Sequence, residues 1–326
     1  MLTTRRMRPS SLIFLFSLTA VGLGFECPSP FPASGQPGVF SLLWENDKFS
    51  FDNQDRYYTQ GLRMVVNNAN GAFAALTQEI NTPADTTTAN PDPSDLPYSA
   101  ALYFSYGQGR VLERGGRRDC LLVWELQFGV VGPAAGGPTI QNSVHRLVGV
   151  PTVQGWQTQL PNELVANIDL EFRKRFLADA SGRGLRDVIT RVAAELGTIR
   201  TEFLLGGQLR WGRGLERSWG NTTIRQSVAY DPVARLDTSL ARPAYAAWFF
   251  VDAQVEVVVR NYSTDGSNFR TSRGVPREPV VGQVAIGYSY QFHHFATTVY
   301  TSLRTHEFAA QKSLHGVGGI KLDLLF

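Results

Sequence analysis

Five polar side chains in two short blocks of this sequence have the types needed to hydrolyse an ester. The first block places Asn46 and Asp47 shortly before Thr59, and the second places Gln141 four residues before His145. Carboxylate and amide oxygens are ligands that Ca²⁺ prefers. A neutral imidazole takes a proton from an attacking water, and amide or hydroxyl groups donate to the developing oxyanion. The set therefore indicates metal-assisted ester hydrolysis.

Each of these residues also has a purely structural explanation. Asn and Asp at a strand end commonly satisfy the backbone groups of a turn, and a single histidine on a loop helix is often solvated or packed. The sequence has no Gly-x-Ser-x-Gly elbow, no Cys/His cluster with zinc spacing and no Gly-rich phosphate loop. A water nucleophile is therefore preferred to a serine, and the convergence of the two blocks in space becomes the test.

The elements that must position these residues are strands. Apolar and polar residues alternate from residue 38 onward, most clearly where Leu122, Trp124, Leu126 and Phe128 share one face. The runs are ten or more residues long and carry charges on the other face, which favours a lipid-facing wall around a polar lumen over a soluble sandwich. About twelve such runs are present: 38–47, 57–68, 71–80, 98–109, 119–131, 162–176, 187–198, 200–213, 243–261, 276–291, 293–305 and 316–326.

We therefore predict an all-β fold, a 12-stranded antiparallel transmembrane β-barrel over 38–326. An even strand number puts both termini on the periplasmic side, so 81–97 and 132–161 are long extracellular loops. Residues 214–242 break the pattern as a long connection on the periplasmic side. The two candidate blocks then meet at the extracellular rim.

The loop after the fifth strand is predicted to contain a short helix. Ile140, Val144 and Leu147 have helical spacing and form an apolar stripe. Thr139 is a candidate cap at the start, and Gly149 is a candidate end. Gln141 and His145 would then lie one above the other on a neighbouring face of this helix. A membrane anchor alone does not need such a helix, so it indicates a site.

Two larger sets of side chains fit the walls of a barrel. Four polar residues on inward-facing positions are expected to pair across the lumen: Glu125, Gln127, Arg210 and Glu256. Four aromatic residues near strand ends are expected to form the girdles at the membrane interface: Trp44, Tyr58, Trp211 and Trp248.

The beginning of the chain has the order of a secretory signal. Arg5, Arg6 and Arg8 precede an apolar run over 11–24 that is too short to span a bilayer comfortably. We expect residues 1–24 to be a cleaved signal peptide and 25–37 a short periplasmic segment before the barrel. The predicted location is therefore the outer membrane of a Gram-negative bacterium.

Composition limits the remaining choices. A mean hydropathy of −0.14 argues against a bundle of membrane helices, and a net charge of +3 is too small to indicate nucleic acid. Outer-membrane lipids are the expected surroundings, and the chain is expected to be a monomer. Cys27 and Cys120 allow one disulfide, which an exported protein can form, or two unpaired thiols.

The same two blocks resemble a known family. Trp44-Glu-Asn-Asp47, followed by Asp55-Arg-Tyr-Tyr-Thr-Gln-Gly-Leu62, resembles the amino-terminal signature of the LpxR family of outer-membrane lipid A 3′-O-deacylases. The segment from Val131 through Gly-Gly-Pro-Thr-Ile-Gln-Asn-Ser-Val-His-Arg-Leu-Val to Gly149 resembles the second hallmark of that family. The likeness runs from about residue 38 to the end, and it is architectural outside these two blocks.

The resemblance implies a twelve-stranded barrel with its active site between the wall and an extracellular-loop helix. It implies a hydrolase that removes the 3′-linked acyloxyacyl chain of lipid A, the lipopolysaccharide anchor, with Ca²⁺. His145 matches the general base. The other matches are polar residues around the metal and oxyanion: Asp47 and Asn46 for the metal, with Asn46, Thr59 and Gln141 as catalytic partners of the histidine.

Two positions differ from the family pattern. The loop 81–97 contains no lysine or arginine, and Pro151 stands where the family has a glutamate six residues after the histidine. Glu163 is one candidate to orient the imidazole in its place. The missing cation keeps open a phospholipase-like hydrolase of glycerophospholipids. A non-catalytic structural barrel or small pore with a vestigial site is the third possibility.

Overall fold

The chain forms a closed antiparallel barrel in which each strand pairs with its neighbours in sequence and the first strand pairs with the last. The computed structural model describes residues 28–34, 36–51, 55–114, 117–177, 186–225 and 245–326. The predicted fold class is therefore confirmed. The expected signal peptide lies outside the described residues.

Twelve strands, numbered β1 to β12, are present in the described part of the chain, and each lies where the alternation predicts it. Their bounds are Gly38–Asn46, Tyr57–Asn68, Ala72–Thr82, Ser99–Arg114, Arg117–Val131, Glu163–Leu177, Arg186–Gly197, Arg200–Arg213, Tyr245–Asn261, Val280–Phe292, Phe295–Arg304 and His315–Leu325. β1 and β12 close the barrel without a break in their pairing, from Val39 opposite Leu325 to Asn46 opposite Gly318. None of the helices in the described ranges is long and apolar enough to cross a bilayer.

Paired charges line the lumen on the inward faces of the strands. All four predicted lumen residues are buried and paired: Glu125 with Arg63, Gln127 with Asp169, Arg210 with Asp187, and Glu256 with Arg304. A buried ion pair adds little net stability, but removing one partner leaves an uncompensated charge that costs about 3–5 kcal/mol. These pairs therefore fix how the strands face one another.

Two of the four predicted girdle aromatics are elsewhere. Trp44 lies on the outer wall, 38% exposed, as expected, and Trp211 lies half-buried there beside Phe249. Tyr58 and Trp248 instead point into the lumen and are fully buried. Side chains alternate along a strand, so closeness to a strand end does not decide which face an aromatic residue takes.

The predicted loop helix is present as α1, Gly137–Val148, and it packs on the outside of the barrel. The Tyr103 hydroxyl donates a hydrogen bond to Glu79 in the lumen. Side chains alternate between the two faces of a strand, so Ile80, one residue from Glu79, and Ala100, three residues from Tyr103, face outward. They lie in one buried cluster with Trp156, and Ile140 of α1 packs against this cluster. The helix thus covers the outer wall of β3 and β4 instead of closing the lumen.

α1 differs from the prediction in its N-terminal cap and in one residue of its predicted apolar face. The cap is Gly136, in the left-handed region at φ +73°, and a proline follows in the first turn, so Thr139 is not the cap. The predicted end is correct, because Gly149 is left-handed at φ +75°. Leu147 is 86% exposed and does not pack on the wall.

The described part of the connection after β8 enters the barrel. Residues 214–225, which we call the lumen segment, bury Leu215, Trp219 and Ile224 among inward-facing side chains of the wall. The backbone carbonyls of the segment accept hydrogen bonds from Arg173, Arg175 and Arg210. The alternation of strands could place this connection only on the periplasmic side, and it gave no sign that the chain turns inward.

The described residues just before β1 contact β2 and β4. The carbonyl of Pro28 accepts a hydrogen bond from the Tyr106 hydroxyl, at 2.7 Å, and the carbonyl of Ser29 accepts one from Asn68. Cys120 is a buried free cysteine. Cys27 lies outside the described residues, so the disulfide stays an open expectation.

Candidate active site on the outer wall

His145 lies in the last turn of α1 with a protein oxygen close to each ring nitrogen. Nδ1 is 2.7 Å from the carbonyl oxygen of Pro151, and Nε2 is 3.4 Å from Oδ2 of Asp55. A carbonyl oxygen can only accept, so it selects the tautomer with the proton on Nδ1. Nε2 then carries the free lone pair and faces the carboxylate.

Asp55 brings the imidazole next to the first block. Its charge acts on Asp47, which is the buried residue of the short turn Asp47–Phe49 after β1. Oδ2 of Asp47 accepts a hydrogen bond from the backbone N–H of Arg56 at 2.6 Å. Burial, followed by the negative charge of Asp55, raises the pKa of Asp47 well above its usual range. The two sequence blocks therefore meet through this pair of carboxyl groups.

Asn46 and Thr59 are at the same rim, but each is bonded locally. Oδ1 of Asn46 accepts a hydrogen bond from the backbone N–H of Lys48 at 2.9 Å, which caps the 47–49 turn. The Thr59 hydroxyl is 2.8 Å from the Thr82 hydroxyl, at an irregularity in the pairing of β2 with β3. Neither side chain is hydrogen-bonded to His145.

Gln141 is buried one turn before His145 on α1. Its Oε1 accepts a hydrogen bond from the indole N–H of Trp156 at 2.9 Å. Its Nε2 is buried without a hydrogen-bond partner. An unpartnered buried amide N–H₂ costs free energy and is a donor available to a ligand.

The orienting role that the sequence left open is filled without Glu163. That carboxylate accepts hydrogen bonds from Ser267, Asn268 and Phe269 instead. The carbonyl of Pro151, the residue that stands in the place of the family glutamate, holds Nδ1. Asp55 was part of the recognised signature, but spacing alone did not assign it a role, since the contact depends on where α1 docks.

The site faces the membrane side of the wall. Residues 47–51, which we call the ledge, lie outside β12, because a Cβ on outward-facing Gly318 would come within 2.3 Å of the Phe49 carbonyl oxygen. The Phe49 ring packs edge-on against Trp44, with ring centroids 4.8 Å apart. The ledge and α1 thus lie on either side of the outward face of β1 and β2, and we call this part of the wall the outer cleft.

The donors at this cleft fit a hard cation better than a soft one. Oδ1 of Asp47 and Oδ1 of Asp55 are both buried without a hydrogen-bond partner. Within the described ranges, no group of three His, Cys, Asp or Glu side chains is close enough to hold a metal ion. Ca²⁺ accepts amide, carbonyl and water oxygens beside one or two carboxylates, whereas zinc needs nitrogen or sulfur ligands that are not grouped here.

Fold and site together define an outer-membrane β-barrel with a polar cleft on its lipid-facing wall. The structure of LpxR from Salmonella typhimurium superposes with a TM-score of 0.75 at 17% identity, covering 88% of this chain and all of that one. The β-domain of the Bordetella autotransporter BrkA matches more weakly, with a TM-score of 0.42 at 11% identity over 89% of this chain and all of that one. No curated protein matches this chain.

The family model described as outer membrane protein LpxR matches residues 12–326. The chain therefore belongs to the LpxR family and is an outer-membrane protein. The family likeness given by the two sequence blocks is confirmed.

Proposed function

We propose that this protein is a lipid A deacylase that hydrolyses the 3′-linked acyloxyacyl ester with water activated by His145. The observation that carries the proposal is the position of Nε2, which faces Asp55 while Pro151 holds the proton on Nδ1. A lone pair on Nε2 is what a general base needs. Membership of the LpxR family supports lipid A as the substrate.

The proton has a defined path in this arrangement. Nε2 of His145 takes a proton from the attacking water and becomes an imidazolium, whose charge is stabilised by the Asp55 carboxylate. The imidazolium then returns the proton to the leaving alkoxide of the sugar. The Pro151 carbonyl keeps the ring oriented throughout, because its hydrogen bond to Nδ1 is present in both protonation states.

Ca²⁺, held by Asp47 and Asn46, would polarise the ester carbonyl and stabilise the charge on its oxygen when bound. The buried, unpartnered Oδ1 of Asp47 is the available carboxylate oxygen. The unpartnered Nε2 of Gln141 and the hydroxyl of Thr59 are the candidate donors to the oxyanion. Asp55 is an additional residue of the site, and its carboxylate lies beside Nε2, where it stabilises the imidazolium.

The location of the cleft suits a membrane lipid. Leu62 and Met64 lie half-buried on the outward face of β2, and Leu76 lies exposed beside them on β3. An acyl chain can lie along these side chains while its ester reaches the polar groups above. The substrate would then enter sideways from the outer leaflet and never pass through the lumen.

A phospholipase-like activity is the second candidate, and the structure weakens its main argument. The loop after β3 carries no cation of its own, but the Arg273 guanidinium donates to the carbonyls of Asp92 and Asp95 in that loop. A positive charge thus lies against the loop from a different part of the sequence. This charge would attract an anionic sugar phosphate, so the missing cation of the loop no longer favours glycerophospholipids.

The test is mass spectrometry of lipid A and phospholipids incubated with the purified protein, with and without Ca²⁺. We expect loss of the 3′ acyl chain from lipid A and intact phospholipids. His145→Ala should leave a folded, heat-modifiable barrel with activity lower by roughly 10²–10⁴-fold, the usual contribution of a general base. Lysophospholipid with intact lipid A would instead support the second candidate, and full activity of His145→Ala would exclude the mechanism.

A further inference from the structure

The proposed chemistry does not use the lumen segment, yet the tip of that segment lies behind the strands that carry the site. Asn46 on β1 faces outward, whereas Glu45 faces the lumen; on β2, Tyr58 also faces the lumen, one residue before Thr59. Neighbouring residues of a strand share one backbone. A contact that fixes the inward side chains therefore also fixes the outward ones.

Glu45 connects the first of these strands to the segment. Its Oε1 accepts a hydrogen bond from the backbone N–H of Ile224 at 2.9 Å and another from the Tyr300 hydroxyl. Its Oε2 accepts a hydrogen bond from the Tyr58 hydroxyl at 2.7 Å. The carboxylate is 1% exposed. It thus ties β1, β2 and β11 to one backbone group of the segment.

Arg225 connects the segment to the extracellular loop before β12. Its guanidinium lies 5.0 Å from the centre of the Tyr58 ring. It also makes two hydrogen bonds to the Glu307 carboxylate, of which the one from Nη1 to Oε1 is 2.9 Å long. Burial opposes ionisation of Glu307, but the charges of Arg225 and Arg304 outweigh it and lower the pKa of this group. The contact is therefore a buried, ionised pair.

From Glu307 a series of hydrogen bonds, joined through the covalent structure of Gln311, Ser313 and Arg56, leads to the candidate metal ligand. Oε1 of Gln311 accepts from the Glu307 backbone N–H at 2.8 Å, and Nε2 of Gln311 donates to the Ser313 carbonyl at 2.8 Å. The Ser313 hydroxyl accepts from Arg56 Nη2 at 2.7 Å. The backbone N–H of Arg56 donates to Asp47 Oδ2 at 2.6 Å.

The lower part of the segment is itself held firmly. Nδ2 of Asn221 donates to the hydroxyls of Ser289 and Thr298 at 3.0 and 3.2 Å, and its Oδ1 accepts from the Trp248 indole at 3.0 Å. Trp219 packs in a buried apolar cluster on the opposite wall. Because these contacts fix residues 219–221, the following residues Ile224 and Arg225 are also held in place and can position the groups that they contact at the rim.

We propose that the lumen segment is an internal brace and that Ile224 and Arg225, at its tip, are positioning residues for the site on the outer wall. Arg225 holds the loop that carries Ser313, and that loop holds Arg56 and Asp47. Ile224 holds Glu45 and, through it, the paired ends of β1 and β2. The activity arm of the following test rests on the proposed function, and the structural arm does not.

The experiment compares purified wild type with Arg225→Ala and Arg225→Lys. Hydrogen exchange of the 55–62 backbone is measured by mass spectrometry without added metal, and kcat and KM for lipid A are measured with Ca²⁺. We expect Arg225→Ala to exchange faster at 55–62 and to lose roughly 10–100-fold in kcat, the cost of a misplaced catalytic group, with KM unchanged. Arg225→Lys keeps the positive charge but not the paired hydrogen bonds, so its exchange rate and its kcat should lie between those of wild type and Arg225→Ala.

Two further variants separate positioning from folding. Arg225→Ala/Glu307→Gln removes both charges, so no unpaired buried carboxylate remains to prevent insertion. Arg191→Gln is the matched control, since Arg191 makes the same buried two-bond pair with Asp252 on the wall. We expect the double variant to behave like Arg225→Ala and the control to behave like wild type in both measurements.

The outcomes are distinct. Unchanged exchange at 55–62 and unchanged kcat in heat-modifiable Arg225→Ala and the double variant would overturn the brace. Equal loss of kcat in Arg191→Gln would also overturn it, because any buried pair would then serve as well. Inactive wild type together with faster exchange in Arg225→Ala would refute the proposed function and support the brace.

Discussion

Asp47 is the residue whose ionisation should govern metal binding. Its pKa is raised above the usual 3.8 by burial and by Asp55, so at low pH the folded protein keeps a proton there that a cation must displace. Ca²⁺ affinity should therefore rise with pH until the folded pKa is passed, and binding should release a proton below it. Calorimetry in buffers of different ionisation enthalpy measures both quantities.

Asp47→Asn replaces the carboxyl group that would release a proton when Ca²⁺ binds. We expect this variant to bind Ca²⁺ more weakly and without proton release, while Asp85→Asn, in the exposed loop after β3, should behave like wild type. Proton release that persists in Asp47→Asn would assign the titrating group to another residue and contradict the proposed ligand.

The sequence could predict which polar residues lie at this rim. The alternation of side chains along a strand and the order of the loops can both be read from the local pattern of apolar and polar residues. It could not predict that Asp55 faces His145, since this contact depends on how α1 docks on β3 and β4. Pro151 is a clearer case. Its side chain has no acid–base chemistry, and its role comes from a carbonyl oxygen that every residue possesses.

Among the elements, the ledge depends on the absence of a side chain on β12. A Cβ at Gly318 would meet the Phe49 carbonyl oxygen at 2.3 Å, too close for any rotamer change to relieve. Gly318→Ala should therefore displace residues 47–51 and lower activity by about 10–100-fold, with a barrel that still folds. Lipid A deacylation and heat-modifiable mobility on gels measure the two effects.

Gly207 supplies the control for this change. It also faces outward from a strand, but a Cβ there would meet its nearest neighbour at 3.6 Å, an ordinary contact. Gly207→Ala should keep full activity. Full activity of Gly318→Ala as well would show that the position of the ledge does not matter for the reaction.

The whole molecule is a barrel with an occupied interior, and this bears on the pore alternative. The lumen segment and the paired charges fill the space that a conducting channel would need. The intact protein should therefore show no steady open-channel current in planar bilayers. Deleting residues 215–243 and joining the ends with a short Gly/Ser linker should create one. A stable current from the intact protein would contradict this picture.

For the whole molecule, the sequence predicted the strands but not the lumen segment, and the reason is physical. Strands of a barrel repeat one pattern, so twelve of them could be located from alternation alone. The lumen segment has no repeating pattern. Trp219 and Asn221 meet different parts of the wall, and Arg225 meets the loop before β12.

The outward placement of the cleft changes how such a catalyst would encounter its target. Molecules would arrive by two-dimensional diffusion, so turnover would follow the mole fraction of substrate among neighbouring amphiphiles rather than its bulk molarity. Adding inert detergent at constant substrate would slow the reaction by surface dilution. In a living cell, the crowding and divalent bridging of the lipopolysaccharide layer would then set the pace as much as the chemistry does.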